Sequence, residues 1–395
     1  MSIEIALSGI NAINDQLGSI SNNIANSGTY GFKSSRANFA STYAGTQPTG
    51  VQVGSHTQTI GQIGGVLTTG RSMDAAIQGR GFFATRDSAG ATVFTRVGIF
   101  NADKQGNVVD SYGRRLQGYP LAPGATTPGP LGDLTVPSGQ IAALPSSKMQ
   151  YVGNISADWK VPTVAPFNAA DPQSFNGSMV TAVYDSLGAQ HSVTQYFVKT
   201  GTNTVDVHYA MDGAPLATTN SLTFNPQGQL TSPTAPVALA LGTPAGAAAL
   251  TVNLDYTGTT QFAGEATTTV NSANGYASGI LTGVAIAEDG SIMAQYSNGQ
   301  KQSVGTIALA TFPNEDGLTP VSDTAWTTSN ASGNVLYFTP GSGMAGKLAG
   351  GSLEQSNVEM TSELVNLMSA QRNYQANTKV ISTESEMMKN LMQAV

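Results

Sequence analysis

The chain has 395 residues, with 17 Lys and Arg against 24 Asp and Glu, a formal net charge of −7 and no cysteine. That balance offers no basic footprint for nucleic acid, and the absent thiols exclude disulfides, thiolate catalysis and cysteine metal sites. Charged residues are 10% of the chain, against ~25% in a typical soluble protein, so the 45 glycines and the abundant Thr, Ser, Ala and Asn predict short strands, frequent turns and a neutral surface.

The first predicted element is a helix. Ile3, Ala6, Ile10, Ile13, Leu17, Ile20 and Ile24 are separated alternately by three and four residues, which places them on one stripe with the 3.5-residue period of a coiled coil. Ser2 stands where an N-cap would, and Gly28 where a helix would stop. Ser8, Asn11, Asn14, Ser19, Ser21, Asn22 and Asn23 lie between the stripe residues. These are mediocre helix formers, and an isolated helix of this length is marginal in water. Before Lys33 the only charged residues are Glu4 and Asp15, and no apolar run precedes a small-residue cleavage site, so no secretory signal peptide is predicted.

Strands follow. Phe82 to Tyr119 alternates short apolar runs with turn clusters at Asp87–Gly90 and Gln105–Asn107. A Pro/Gly/Thr-rich zone, Tyr119 to Pro145, leads to a second strand-rich region. There Thr181–Lys199 reads as a hairpin turning at Asp185–Gly188, with further strands in Asn203–Gly213 and Ser221–Leu230. The stretch 231–283 is a loose run of Ala, Gly and Thr without a clear element. Its apolar part, Val237 to Val252, is interrupted by Gly242, Pro244 and Gly246, so it reads as loop or strand and spans no membrane. A meander like the first returns at 280–312, with turns at Glu288–Gly290 and Ser297–Gly299.

The last element is again a helix. Asn357 to Val395 has neither Gly nor Pro, and Ser356 and Glu359 have capping-box spacing. Met360, Leu364, Leu367, Gln371, Tyr374, Thr378, Ile381, Ser385, Met388 and Met392 alternate steps of four and three, and at ~1.5 Å per residue the helix is roughly 55 Å long. The order is therefore helix, β block, second β block, first β block resumed, helix. An inserted middle domain is the simplest arrangement, because each outer β segment needs a partner for its apolar face.

Catalytic, cofactor and metal constellations are not evident. His56, His191 and His208 have no ligand partner at a recognised spacing, and Gly79–Phe83 lacks the phosphate-loop pattern. The acidic run Asn314–Gly317 reads as a polar turn more readily than as a Ca²⁺ loop. The two stripes could be an ordinary helix pair in a core, or ends that insert at a membrane interface. The second reading is weakened by the absence of the Lys, Arg and Trp such helices prefer. The neutral outer face of the N-terminal helix favours a third reading. A helix enclosed by copies of itself must avoid unpaired buried charge, and Asn, Ser, Gln and Thr can satisfy neighbours without it.

Asn22 to Lys33, "NNIANSGTYGFK", resembles the N-terminal motif of the bacterial flagellar axial proteins, the rod, hook and hook-associated proteins. Ser356 to Gln393 closely resembles their C-terminal motif, with "AQRNYQAN", Ala370 to Asn377, its most specific part. "DAAIQGRGFF" and "YGRRLQGYP" match more loosely. The matching motif positions are Asn22, Asn23, Ile24, Ala25, Asn26, Gly31, Phe32, Lys33, Gln371, Arg372 and Tyr374. The inserted region at 146–284 resembles the hook branch of the family, since rod members have the same ends on a shorter chain.

The resemblance implies a mainly β fold with α-helical termini that form an inner coiled-coil domain from residues 1–24 and 358–395. It implies a linking region at 25–70, an inner β domain from 71–145 and 285–357, and an outer β domain, 146–284, inserted in it. It further implies a structural subunit, not an enzyme and without cofactors, that polymerises with itself into a curved tube transmitting torque. The helix-stripe residues Ile3, Ile10, Ile13, Leu17, Ile20, Ile24, Leu364, Leu367, Tyr374, Ile381, Met388 and Met392 would make the subunit contacts. The implied partners are the rod, the hook cap, the hook–filament junction proteins and the flagellar type III export apparatus, through which the chain would leave the cell unfolded. A distal-rod-like subunit is the near alternative, and a secreted β-domain adhesin a distant one, since Trp159 and Trp326 show no paired motif.

Overall fold

The computed structural model describes residues 2–122, 125–137 and 139–394. They form two compact units. The first comprises Met1–Ser138, Thr282–Gln295 and Lys301–Val395, and the second Gly139–Leu281 and Tyr296–Gln300.

The first unit begins with helix α1, Ser2–Ala25; the cap expected from the Ser2 side chain lies outside the described residues. Helix α1 stops three residues short of Gly28, and turns carry the chain on through Asn26→Asn22 and Thr29→Asn26 backbone hydrogen bonds. The glycine that adopts a left-handed conformation is Gly31, with φ +67°, where a Cβ would stand 2.9 Å from the Arg96 carbonyl carbon. Next comes a long hairpin, Ser35–Ala44 paired with Gln47–Gln58, whose register runs from Ser35↔Gln58 to Ala44↔Gln47 with two bulges. Little in the sequence signals this hairpin: its inward positions are Gly, Ala and Val among Ser and Thr, so the period-two alternation lacks contrast. It packs on α1 at Gly50, where a Cβ would lie 2.1 Å from the Ser8 Oγ. The Ser8 hydroxyl instead donates to the Ile5 carbonyl (2.8 Å) and accepts from the Val51 amide (3.1 Å).

The β body of this unit joins strands from both sides of residues 139–281. Leu309 lies opposite Phe83, Trp326 opposite Phe94, and Ile307 opposite Gly118, all antiparallel. Its core is aromatic: Phe82 meets Trp326 (centroids 5.5 Å) and Phe312 (5.9 Å), and Phe94 meets Phe312 (4.9 Å), all edge-on, the arrangement the ring quadrupoles prefer. Two short ladders close the body, Val66–Thr68 on Ser352–Glu354 and Ala75–Gln78 on Lys347–Gly350. Helix α2, Met360–Ala394, follows. It starts four residues after Ser356, whose hydroxyl accepts from the Val358 amide (3.3 Å) instead of capping the helix. The chain takes one more extended step before it coils.

The second unit has a five-stranded antiparallel sheet in sequential order, Gly177–Tyr184, Gln190–Gly201, Thr204–Met211, Ala214–Phe224 and Leu230–Ser232. Its first turn is held by the Asp185 Oδ1, which accepts from the Leu187 (2.9 Å) and Ala189 (2.8 Å) amides. A four-stranded sheet orders Val237–Gly242, Leu250–Asp255, Lys148–Asn154 and Thr267–Ala273, with one parallel pair at residues 148–150. Val193, Val207, Leu222, Leu239, Val252, Leu254 and Tyr256 fill one shared core. The stretch 231–283 thus holds three full strands. Leu239, Leu241, Leu250, Val252 and Leu254 alternate inward, while Ala and Thr on the outer face blur the contrast.

Candidate assembly site

Helices α1 and α2 run antiparallel. Asn23 bonds Glu363, Ile13 and Ile20 cluster with Ala370, and Gly9 lies against Asn377. The shared seam is small: Ile13, Ile20 and Ala370 are buried, with Leu17, Ile24 and Leu367 packed against them. Burial of this order contributes ~1.5–3 kcal/mol per large side chain. Of the other stripe residues, Ile10 and Ile381 are half-buried, and Ile3, Leu364, Tyr374, Met388 and Met392 are exposed in the single chain. The side of α2 turned to α1 is marked by Glu363, Leu367, Ala370 and Asn377, so it includes a small residue, Ala370, that heptad counting on large apolar residues passes over. Gln371 and Arg372 point away and are exposed.

The N-terminal motif divides sharply. Asn22 and Ala25 are exposed, Asn26 and Phe32 half-buried, and Asn23, Gly31 and Lys33 buried. The Asn23 Nδ2 donates to the Ser35 carbonyl (2.8 Å) and to the Glu363 Oε1 (3.0 Å), and its Oδ1 accepts from the Ser35 amide (2.9 Å). Asn357, from the opposite end of the chain, does the same one residue earlier. Its Oδ1 accepts from the Ser34 amide (2.8 Å) and its Nδ2 donates to the Thr59 carbonyl (3.0 Å). Two asparagines therefore tie the end of α1, the root of the hairpin and the approach to α2 into one knot.

Below it lies a buried ion cluster. The Lys33 Nζ donates to the Glu354 Oε1 (2.6 Å) and to the Gln62 carbonyl. The Gly64 amide donates to the same Oε1 (3.0 Å), and the Arg96 Nη1 donates to Oε2 (3.1 Å). Side-chain exposure is 0% for Lys33 and Glu354 and 1% for Arg96. Arg96 also donates to the Gly79 carbonyl (3.0 Å) and lies over the Phe82 ring at 5.1 Å. Burial pushes the Lys33 ammonium pKa down, against the opposing pull of the Glu354 carboxylate. Spacing gives no hint of this cluster, because its members come from three distant segments.

Elsewhere, His191 sits between Asp212 (2.7 Å) and Asp185 (3.3 Å), and His208 stacks on Phe167 with centroids 4.2 Å apart. Asn314–Gly317 holds a short 3₁₀ turn whose Glu315 pairs with Arg80 (2.9 Å). Among the described residues no group of three or more His, Cys, Asp or Glu is arranged to hold a metal ion, and no helix is long and apolar enough to cross a membrane.

Three family profiles match the chain: a flagellar hook protein FlgE/F/G D1 domain at 76–157, a flagellar basal body protein FlaE D2 domain at 154–276, and a flagellar basal body rod FlgEFG protein C-terminal region at 349–394. Among relatives, the flagellar hook protein FlgE of Salmonella typhimurium is 39% identical and that of Escherichia coli 37%, each alignment covering 99% of both chains. That of Treponema pallidum is 31% identical over 98% of this chain and 97% of its own. The crystal structure of Helicobacter pylori flagellar hook protein FlgE2 superposes with a TM-score of 0.53, at 14% identity, over 71% of this chain and 98% of that one, a likeness of fold. None of these families is catalytic. With motifs at both ends, a mainly β body between terminal helices, and end-to-end similarity to these relatives, the chain belongs to the flagellar hook protein family.

Proposed function

We propose that the chain is a non-catalytic structural subunit of the bacterial flagellar hook, polymerising with copies of itself into a curved, flexible tube that carries torque from rod to filament. The observation that carries the reading is the unpartnered apolar surface of the terminal helices. Leu7, Leu364, Val365, Met368, Met387, Met388, Leu391 and Met392 are all at least half exposed or close to it, from 45% to 74%. So many large apolar side chains left uncovered on one helix pair mark an interaction surface. Copies packed around it would bury it. A head-to-tail contact whose rotation does not close gives an open helical tube.

In this reading residues 1–24 and 358–395 form a coiled-coil inner domain and 25–70 the linking region. Residues 71–145 and 285–357 form the inner β domain, and 146–284 the outer domain inserted in it. The helix-stripe residues Ile3, Ile10, Ile13, Leu17, Ile20, Ile24, Leu364, Leu367, Tyr374, Ile381, Met388 and Met392 make the contacts within and between subunits. The neutral outer domains touch through small polar contacts that slide as the tube bends. Rod, hook cap, hook–filament junction proteins and the type III export apparatus are its partners, and it works outside the cell after export without a cleaved signal. The names of its relatives support the hook assignment. Negative-stain microscopy of the concentrated purified protein tests it, with curved tubes expected. A chain that stays monomeric at every concentration overturns it. Straight rigid tubes favour a rod-like subunit.

A further inference from the structure

Among the described residues, seven hairpin turns share one five-residue form. The first residue's amide donates to the fifth residue's carbonyl, the fourth's amide donates to the first's carbonyl, and the fourth is a glycine at φ +74° to +89°. These turns begin at Asp87, Asp103, Asp110, Asp185, Asn225, Ala287 and Tyr296. In five of them the opening residue is Asp or Asn, and its Oδ1 accepts from the third and fifth amides at 2.7–3.0 Å. Ala287 and Tyr296 have no such acceptor to offer. There the middle residue supplies one bond: Asp289 accepts from the Ser291 amide (2.9 Å) and Asn298 from the Gln300 amide (3.1 Å). The division follows chain order, with every doubly held turn between residues 87 and 229 and both others after residue 286.

We propose that the five turns opened by Asp or Asn are the folding nuclei of the β units, and that the returning hairpins at 281–307 close late, on strands already in place. Four hydrogen bonds within five residues need no distant partner. Short loops close at small entropic cost, and hairpins form in about 1–10 μs. The pairings that complete the first unit are remote in sequence: Phe83 meets Leu309, and Phe94 meets Trp326. Contacts of that kind form slowly unless local structure holds one side ready. The turn at Asp110–Arg114 leads directly into the strand Arg115–Pro120, and Lys301–Ile307 pairs with that strand. A hairpin that returns to a prepared edge takes its register from the edge and needs no strong turn of its own. The Asp and Asn side chains therefore set the speed and order of folding more than they hold the finished fold. This order belongs to the β units of a single chain and holds whether or not copies assemble.

Refolding of the unassembled full-length protein from denaturant, with pulsed amide exchange read by peptide mass spectrometry, tests the order. Protection at 82–95 and 219–232 is expected to precede protection at 291–307. Asp87 and Asn225 are the positions to vary, because among the described residues their side chains bond only within their own turns. Asp87→Ala and Asn225→Ala are each expected to slow folding of their own peptide about five- to tenfold and to change its unfolding rate less than about twofold. Asp87→Asn keeps the acceptor and is expected to fold at the wild-type rate. Ala287→Asp gives a late turn the missing acceptor, and is expected to slow unfolding at 286–307 without speeding folding. The proposal is overturned if 291–307 gains protection first or together with the other peptides. It is equally overturned if the alanine variants speed unfolding and leave folding unchanged, if Asp87→Asn is as slow as Asp87→Ala, or if Ala287→Asp speeds folding. Where an alanine variant fails to refold, the wild-type order and the Ala287→Asp rates decide on the same terms.

Discussion

Two adjacent asparagines separate the inward and outward roles of the N-terminal motif. Asn23 is 2% exposed and makes four hydrogen bonds, two of them to the backbone of Ser35 at the first rung of the hairpin and a long one, 3.5 Å, from the Ser35 hydroxyl. Asn22 is exposed and its side chain meets only that of Asn26, at 3.3 Å. Asn23→Ala strands the N–H and C=O of Ser35, and each unpaired backbone group costs ~1–3 kcal/mol. Ser35 is half-buried, so water recovers part of this, and a net loss of about 2–3 kcal/mol is expected. Asn22→Ala is expected to change stability by less than ~0.5 kcal/mol.

The chain has two units, so a single unfolding midpoint is not a clean measure. Amide exchange across Ser35–Gln58 reads the local opening energy directly, and 2–3 kcal/mol corresponds to roughly a 30- to 150-fold loss of protection, at 1.4 kcal/mol per factor of ten. Asn23→Asp sharpens the test. It keeps the acceptor for the Ser35 amide but turns a carboxylate toward the Ser35 carbonyl and the Glu363 carboxylate. It is expected to be worse than Asn23→Ala at pH 7 and to approach it once the pH falls below ~4, where the new acid is protonated. Equal effects at positions 22 and 23 would refute the assignment of Asn23 to the interior of the chain.

Ile20→Asp puts a carboxylate among Ile13, Leu17 and Ala370 and is expected to abolish tube formation in a sedimentation assay while the circular dichroism of the β units persists. Thr324 is β-branched at φ +53°, a conformation Asn tolerates better, so Thr324→Asn is expected to stabilise the first unit by about 0.5–1 kcal/mol, seen as a higher Tm. The Asp212 hydrogen bond, opposed by partial burial and helped by Asp185, raises the His191 pKa above its usual 6.5. A raised folded-state pKa gives stability that is full below the unfolded value and lost as pH rises through the folded one. The second unit is therefore expected to melt lower above neutral pH than near pH 6, and His191→Gln is expected to flatten that slope in calorimetry.

What could be read from the sequence was local. The heptad steps placed both helices, and Asp185–Gly188 marked its turn because Asp supplies the acceptor and Gly the left-handed residue, at φ +84°. The hairpin at 35–58 escaped, since its inward positions are themselves Gly, Ala and Val among Ser and Thr, and 237–252 stayed open between loop and strand, since its buried Leu and Val alternate with Ala, Thr and Gly, residues that carry little hydrophobic contrast. The seam between α1 and α2 was half legible. Ile13, Leu17, Ile20 and Ile24 stood out on one side, but Ala370 fills the other by being small enough for close approach. The ion cluster was beyond reach, because Lys33, Arg96 and Glu354 acquire a relation only when the fold brings three distant segments together.

The neutral N-terminal helix raised the expectation that Asn and Ser face sister chains. The structure splits that polar set. Asn23 and Ser8 are engaged within the chain, on the Ser35 backbone and the Val51 amide, while α2 carries the larger outward apolar surface. Helix α2 is longer than α1 by 11 residues, roughly 16 Å of extra helix. Met387, Met388, Leu391 and Met392, near its end, are among its most exposed apolar side chains. Thioethers adapt to shifting partners with little penalty, whereas directed hydrogen bonds and a dry ion cluster do not. The chain thus divides its contacts: directional ones inside the chain and adaptable side chains at the end of its last helix.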